Sequence, residues 1–143
     1  MVAAIEGADV VHLAGHFVAR EGNGLLAQML VGGRGVSGYD LLQLKRPPSL
    51  VVLSGCSTAT AEQIGTNGSL GFADALLAVG CECVLATVAP LEDGPATGAV
   101  LGEIHLRVAQ GFSPAAALAD VRSNSVGRER EVACCFVAFG RGL

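Results

Sequence analysis

Three short apolar runs constrain the fold of this chain more than anything else in it. They are Asp9-Val-Val-His-Leu-Ala-Gly15, Leu50-Val-Val-Leu-Ser54 before Gly55, and Cys83-Val-Leu-Ala-Thr-Val88. Runs of this length without strict alternation read as strands buried on both faces. After the second run the period changes: Leu70, Ala73, Leu76 and Leu77 recur at helical spacing, with Ser69 as N-cap and Gly80 in the C-cap position. A further helix is predicted from about Pro95 to Gln110, with Val100, Ile104, Arg107 and Val108 on neighbouring faces and Gly111 closing it. Ser113-Pro114 opens another that runs to about Arg122. The polar stretch Ser123 to Glu131 reads as a loop and Val132 to Phe139 as the closing strand. Between the first two runs, Leu25 to Val31, flanked by Gly22, Gly24, Gly32 and Gly33, reads as a strand or hairpin arm at the surface. Tyr39 to Leu44 reads as a turn or two of helix stopped by Pro47-Pro48. Strands alternating with helices need crossover connections, so the pattern predicts an α/β fold with a mainly parallel sheet and helices on both faces.

Composition narrows the function classes. The 143 residues suit one domain, 1–143. Hydrophobic residues make up 51% and charged residues 15%, against about 25% charged in an average domain, which excludes a disordered chain. No window reaches the roughly 18 consecutive apolar residues of a membrane span, and the opening Met-Val-Ala-Ala-Ile-Glu has no basic region of a secretory signal. The net charge is −4 and the basic residues are scattered, with only Arg128 and Arg130 loosely clustered, which argues against a nucleic-acid face. Five cysteines stand as Cys56, Cys81-x-Cys83 and Cys134-Cys135. Adjacent and alternate cysteines do not pair easily with each other, so reduced thiols and a cytoplasmic protein are expected.

Reactive groups in open parallel sheets sit past the carboxyl ends of strands. His16 follows the first run and Cys56 the second, in Leu53-Ser-Gly-Cys-Ser-Thr-Ala59. If those strands are parallel neighbours, both side chains reach one spot above the sheet, where an imidazole would convert the thiol to a nucleophilic thiolate. Small residues around Cys56 would let backbone N–H groups turn toward a bound oxyanion. The same two residues also suit a buried thiol and a hydrogen-bonded histidine without chemistry. His12 is expected to be an inward, structural histidine, since Leu13 and Gly15 break the zinc-protease helix pattern. Cys81, Cys83, Cys134 and Cys135 lack the two-residue gap of a zinc knuckle and read as buried strand thiols, so no metal is expected. Glu92-Asp93, after Pro90, should lie at the same rim as His16 and Cys56. There they would either receive a basic substrate side chain or open the next helix as solvated charges. His105 reads as a surface or boundary residue.

Six segments together resemble the CHAT domain, a branch of the caspase-like cysteine peptidases related to separase. They are Val11-His-Leu-Ala-Gly-His16, Leu50-Val-Val-Leu-Ser-Gly-Cys-Ser-Thr-Ala59, Gly71-Phe-Ala-Asp-Ala-Leu-Leu-Ala-Val-Gly80, Cys83-Val-Leu-Ala-Thr-Val-Ala-Pro90, Gly111-Phe-Ser-Pro-Ala-Ala-Ala-Leu118 and Phe136-Val-Ala-Phe-Gly140. The resemblance implies a caspase-like three-layer sandwich and a cysteine endopeptidase of the bacterial regulatory type, with Cys56 as nucleophile and His16 as general base. It implies an oxyanion hole at the Gly15 and Cys56 backbone, Asp93 with Glu92 as substrate-reading acids, and no cofactor. The partners it implies are a protein or peptide substrate and regulatory segments of a longer polypeptide or a partner protein. Two departures stand out: Phe17 replaces the family's glycine after the histidine, where it would crowd the substrate or alter the backbone, and Ala89 replaces a tryptophan. With His12 so near Met1, the chain reads as the C-terminal portion of the domain, truncated at its N-terminus, and an open sheet edge and an edge-strand dimer are expected. The alternative function is a catalytically inactive interaction or regulatory domain of the same fold.

Overall fold

The computed structural model describes residues 2–18, 24–31, 33–55 and 67–141. A short helix α1 (Val2–Ile5) leads into β1 (Val10–Ala14). After it come β2 (His16–Val18), a 3-10 turn (Gly24–Leu26), β3 (Gln28–Val31), β4 (Arg34–Ser37) and α2 (Gly38–Leu41). The second half runs β5 (Leu50–Ser54), α3 (Asn67–Ala78), β6 (Cys83–Thr87), α4 (Pro95–Ala109), α5 (Pro114–Asn124), α6 (Gly127–Cys134) and β7 (Phe136–Gly140).

The fold is mixed α/β. β1, β5, β6 and β7 form the main sheet in that order. β1 and β6 both run parallel to β5, while β7 is antiparallel to β6. The long connections from β1 to β5 and from β5 to β6 are the crossovers that parallel pairing requires. The excursion after β1 is a separate antiparallel sheet, β2-β3-β4, where the sequence pattern had indicated a single arm.

Alternate residues of each strand face opposite layers. Val51, Leu53, Val84 and Ala86 join Ile5, Leu41, Phe72 and Leu76 in one core, under α1, α2 and α3. Leu50, Val52, Cys83 and Leu85 join Val100, Ile104, Leu118, Val121 and Phe136 in the other, under α4, α5 and α6. β5 and β6 are buried along their whole length, as their unbroken apolar runs predict. Gly80, at φ +104°, takes the left-handed conformation that ends α3.

Five expectations are corrected. β1 is not buried on both faces: it lies at the sheet edge and only Leu13 in it is buried, because the apolar core beneath α4, α5 and α6 draws on β5 and β6 and includes no residue of β1. The stretch read as a loop holds α6, whose polar Gly-Arg-Glu-Arg-Glu sequence hides its period and whose buried side is only Val132 and Ala133. The closing strand therefore starts at Phe136, and Cys134 and Cys135 sit at the end of α6, exposed and half-buried, rather than in a strand. α3 begins at Asn67, two residues ahead of the expected cap.

Candidate functional site

A cleft of about 360 Å³ opens at the carboxyl ends of β1 and β5, on the α4 side of the sheet. Its floor is His12, Ala14, Ser54 and Gly55, its near wall Gly15 and His16, and its far wall residues 91–94 with the first turn of α4. This is where the sheet topology places reactive groups.

His16 reaches the cleft because the chain turns sharply at Gly15. The Gly15 N–H donates to the Ser54 carbonyl at 3.2 Å, extending the β1–β5 pairing one residue. A Cβ on Gly15 would stand 2.9 Å from the Leu30 carbonyl oxygen, so the turn needs glycine. β2 then alternates: His16 and Val18 face out and Phe17 faces in. Among the described residues none hydrogen-bonds the His16 ring. The Gly15 N–H is thus engaged in the sheet.

Phe17 does not crowd the cleft, contrary to the expectation for a bulky residue after the histidine. It is 7% exposed and packs edge-on against Phe72, ring centroids 5.2 Å apart at 88°. Its ring also roofs Gly55, where a Cβ would come within 2.5 Å of the ring and 2.6 Å of the Gly15 carbonyl oxygen. The strand leading to Cys56 thus leaves the sheet through a gap that only glycine fits. Cys56 itself lies outside the described residues, as do Ser57, Thr58 and Ala59 of its motif.

The rim carries Glu92 and Asp93, both exposed and both lining the cleft with His16. They are not equivalent. Glu92 is ion-paired to Arg128 of α6, while the carboxylate of Asp93 has no partner among the described residues. Buried Thr97, in the first turn of α4, donates its hydroxyl to the Glu92 carbonyl at 2.6 Å and fixes the rim to the helix. Leu91 is buried and lines the cleft, whereas Ala89, where the family pattern has tryptophan, is exposed.

His12 is the main surprise. It is neither inward nor isolated: the residue is exposed, but its ring is partly covered, with Nε2 2.6 Å from Ser54 Oγ and Nδ1 3.3 Å from Nε2 of His105 on α4. Partial desolvation and then the neighbouring His105 hold its pKa below the ordinary 6.5. Ser54, His105 and Thr97 were not marked by the sequence. Ser54 alone had a signal, as the last residue of a buried run directly before Gly-Cys.

None of the described thiols lines the cleft. Burial pushes Cys83 up to about 11 and also raises Cys81. No cluster of three or more metal-ligating side chains occurs among the described residues, and no described helix is long and apolar enough to cross a membrane.

Five of the six segments, all but Phe136–Gly140, fall within the span of a family model. No curated protein matches the chain, but the model of the CHAT domain matches residues 1–132 of its 143. A match of that extent, over a parallel α/β sheet with a histidine-lined cleft at its strand ends, shows that the chain belongs to the CHAT domain family.

Proposed function

We propose that this chain is a caspase-like cysteine endopeptidase domain in which Cys56 is the nucleophile and His16 the general base. The observation that carries the reading is the placement of His16 in a cleft at the end of β1, beside the end of β5, from which the chain continues through Gly55 to Cys56. The Cys56 thiolate would attack the scissile carbonyl carbon, and the imidazolium of His16 would pass its proton to the amine as the C–N bond breaks. Water, deprotonated by His16, would then hydrolyse the thioester and return the thiol. With the Gly15 N–H engaged, oxyanion stabilisation falls to the backbone at Cys56 and to the first turn of α4 across the cleft. Asp93, the rim acid without an ion pair, is the better receptor for a basic substrate side chain, and Glu92 serves the rim through Arg128. The substrate class is protein or peptide, with regulatory segments of a longer polypeptide or a partner as activators.

Residue-resolved alkylation by iodoacetamide near neutral pH tests the dyad. Cys56 should react faster than the other cysteines, and His16→Ala should abolish that preference. Uniform reactivity would instead support the catalytically inactive interaction domain.

A further inference from the structure

We propose that His12 and Ser54 are a positioning pair that locks the strand delivering His16 to the strand delivering Cys56, with His105 holding the His12 ring from α4. The inference rests on the dyad reading above and adds residues to it. His12 lies four positions before His16 and Ser54 two before Cys56. In the parallel register His12 is opposite Val52 and Ala14 opposite Ser54. The two side chains therefore stand on the same face one pair apart, and they meet at 2.6 Å.

A link is needed at this place because packing supplies little. Among the described strands β1 has one neighbour in the sheet, β5, and its α4-facing residues Val10, His12 and Ala14 are all exposed. Backbone pairing fixes the register of β1 and carries on to the Gly15 N–H, which donates to the Ser54 carbonyl, but on the α4 face no residue of β1 joins the apolar core. Ser54, a residue only 6% exposed, ties the end of β1 from the floor of the cleft through its hydroxyl. His105, with its ring centroid 5.1 Å from that of His12, ties it to the helix whose first turn forms the opposite wall.

Each nitrogen of His12 has one partner. A neutral ring donates through one and accepts through the other, so the three side chains form a chain of one sense. One added proton leaves His12 donating in both directions. A second would set two imidazolium ions at the 3.3 Å contact and break it. The other titratable groups lining this cleft are His16 from β2 and Glu92 and Asp93 from the rim.

The test is iodoacetamide alkylation of Cys56 in the full chain across about pH 5 to 8, together with amide hydrogen exchange over residues 50–55. His12→Ala and Ser54→Ala should each slow Cys56 about tenfold, in line with the cost of a small misplacement of reacting groups, and should speed exchange at the end of β5. His12→Gln, which keeps a donor and an acceptor, should restore most of the rate and remove one inflection from the acid limb. Wild-type rate and exchange in His12→Ala would overturn the proposal. Should that variant fail to fold, Ser54→Ala decides it by the same readouts. If Cys56 shows no preference even in the wild type, the dyad reading falls. The positioning pair is then judged on exchange alone, where unchanged protection in His12→Ala and Ser54→Ala overturns it.

Discussion

At the residue scale the site depends on side chains with opposite needs. Phe17 and Gly55 are coupled by space: the ring occupies the volume a Cβ at 55 would take, so the large residue after His16 and the glycine before Cys56 belong to one packing solution. Gly55→Ala should lower the thermal midpoint by several degrees, consistent with an overpacking cost of roughly 1–3 kcal/mol. Adding Phe17→Leu should recover only part, because the Gly15 carbonyl also stands within 2.6 Å; full recovery in a calorimetric scan would assign the whole clash to the ring. His12 carries a pH dependence whose sign follows from its lowered pKa. The unfolded chain binds a proton there more readily than the folded one, so the contribution to stability is complete above about pH 6.5 and is lost as pH falls through that value toward the lower folded-state pKa. Urea unfolding at stepped pH should show that slope in the wild type and a shallower one in His12→Gln.

At the element scale, boundaries follow caps where the sequence supplies them. Ser113 accepts from the Ala116 N–H at 3.2 Å ahead of Pro114 and opens α5 as its Ser-Pro pair indicates. Ser37 and Asp40 form a reciprocal capping box at α2. α6 lacks such a cap. Val126 stands at its N-cap, 78% exposed, extended at φ −131° and ψ 161°, with no side-chain bond to the helix. Glu129 already occupies the third helical position, so Val126→Ser would complete a capping box. It should add about 1 kcal/mol and raise the thermal midpoint by about 3 °C; an unchanged midpoint would mean that α6 is fixed by Val132 and Ala133 alone. The same missing cap explains why this stretch reads as a loop in the sequence. Its end is not marked by a side chain, and its Arg128–Glu131 pair at 2.8 Å belongs to a surface with almost no apolar period.

At the scale of the whole molecule, the exposed edge of the main sheet is the feature with the largest consequence. Among the described strands none pairs with the outer side of β1, and its Val10 is 46% exposed, the kind of edge that pairs with another strand. We propose that copies of the chain associate through it. Val10→Lys should then reduce concentration-dependent association in light scattering while leaving the thermal midpoint of dilute protein nearly unchanged. Association that persists in this variant would direct attention away from β1.

The sequence by itself determined the strands and helices of the central layers and the family. Buried β5 and β6 are continuous apolar runs, and α3, α4 and α5 repeat their apolar residues at helical spacing, so local chemistry and final environment agree there. It also brought His16 and the rim acids to one end of the sheet, through strand direction alone. The tertiary structure decided what depends on neighbours distant in the chain. β1 has an apolar run like β5, yet is buried only at Leu13, because among the described strands one alone flanks it. Phe17 turns inward because Phe72 and Gly55 make room for it. Glu92 and Asp93 differ because Arg128, from another helix, meets only the first. Ser54, His12 and His105 carry no shared pattern of spacing, since strand register and one helix packing bring them together, and neither is written in the residues beside them.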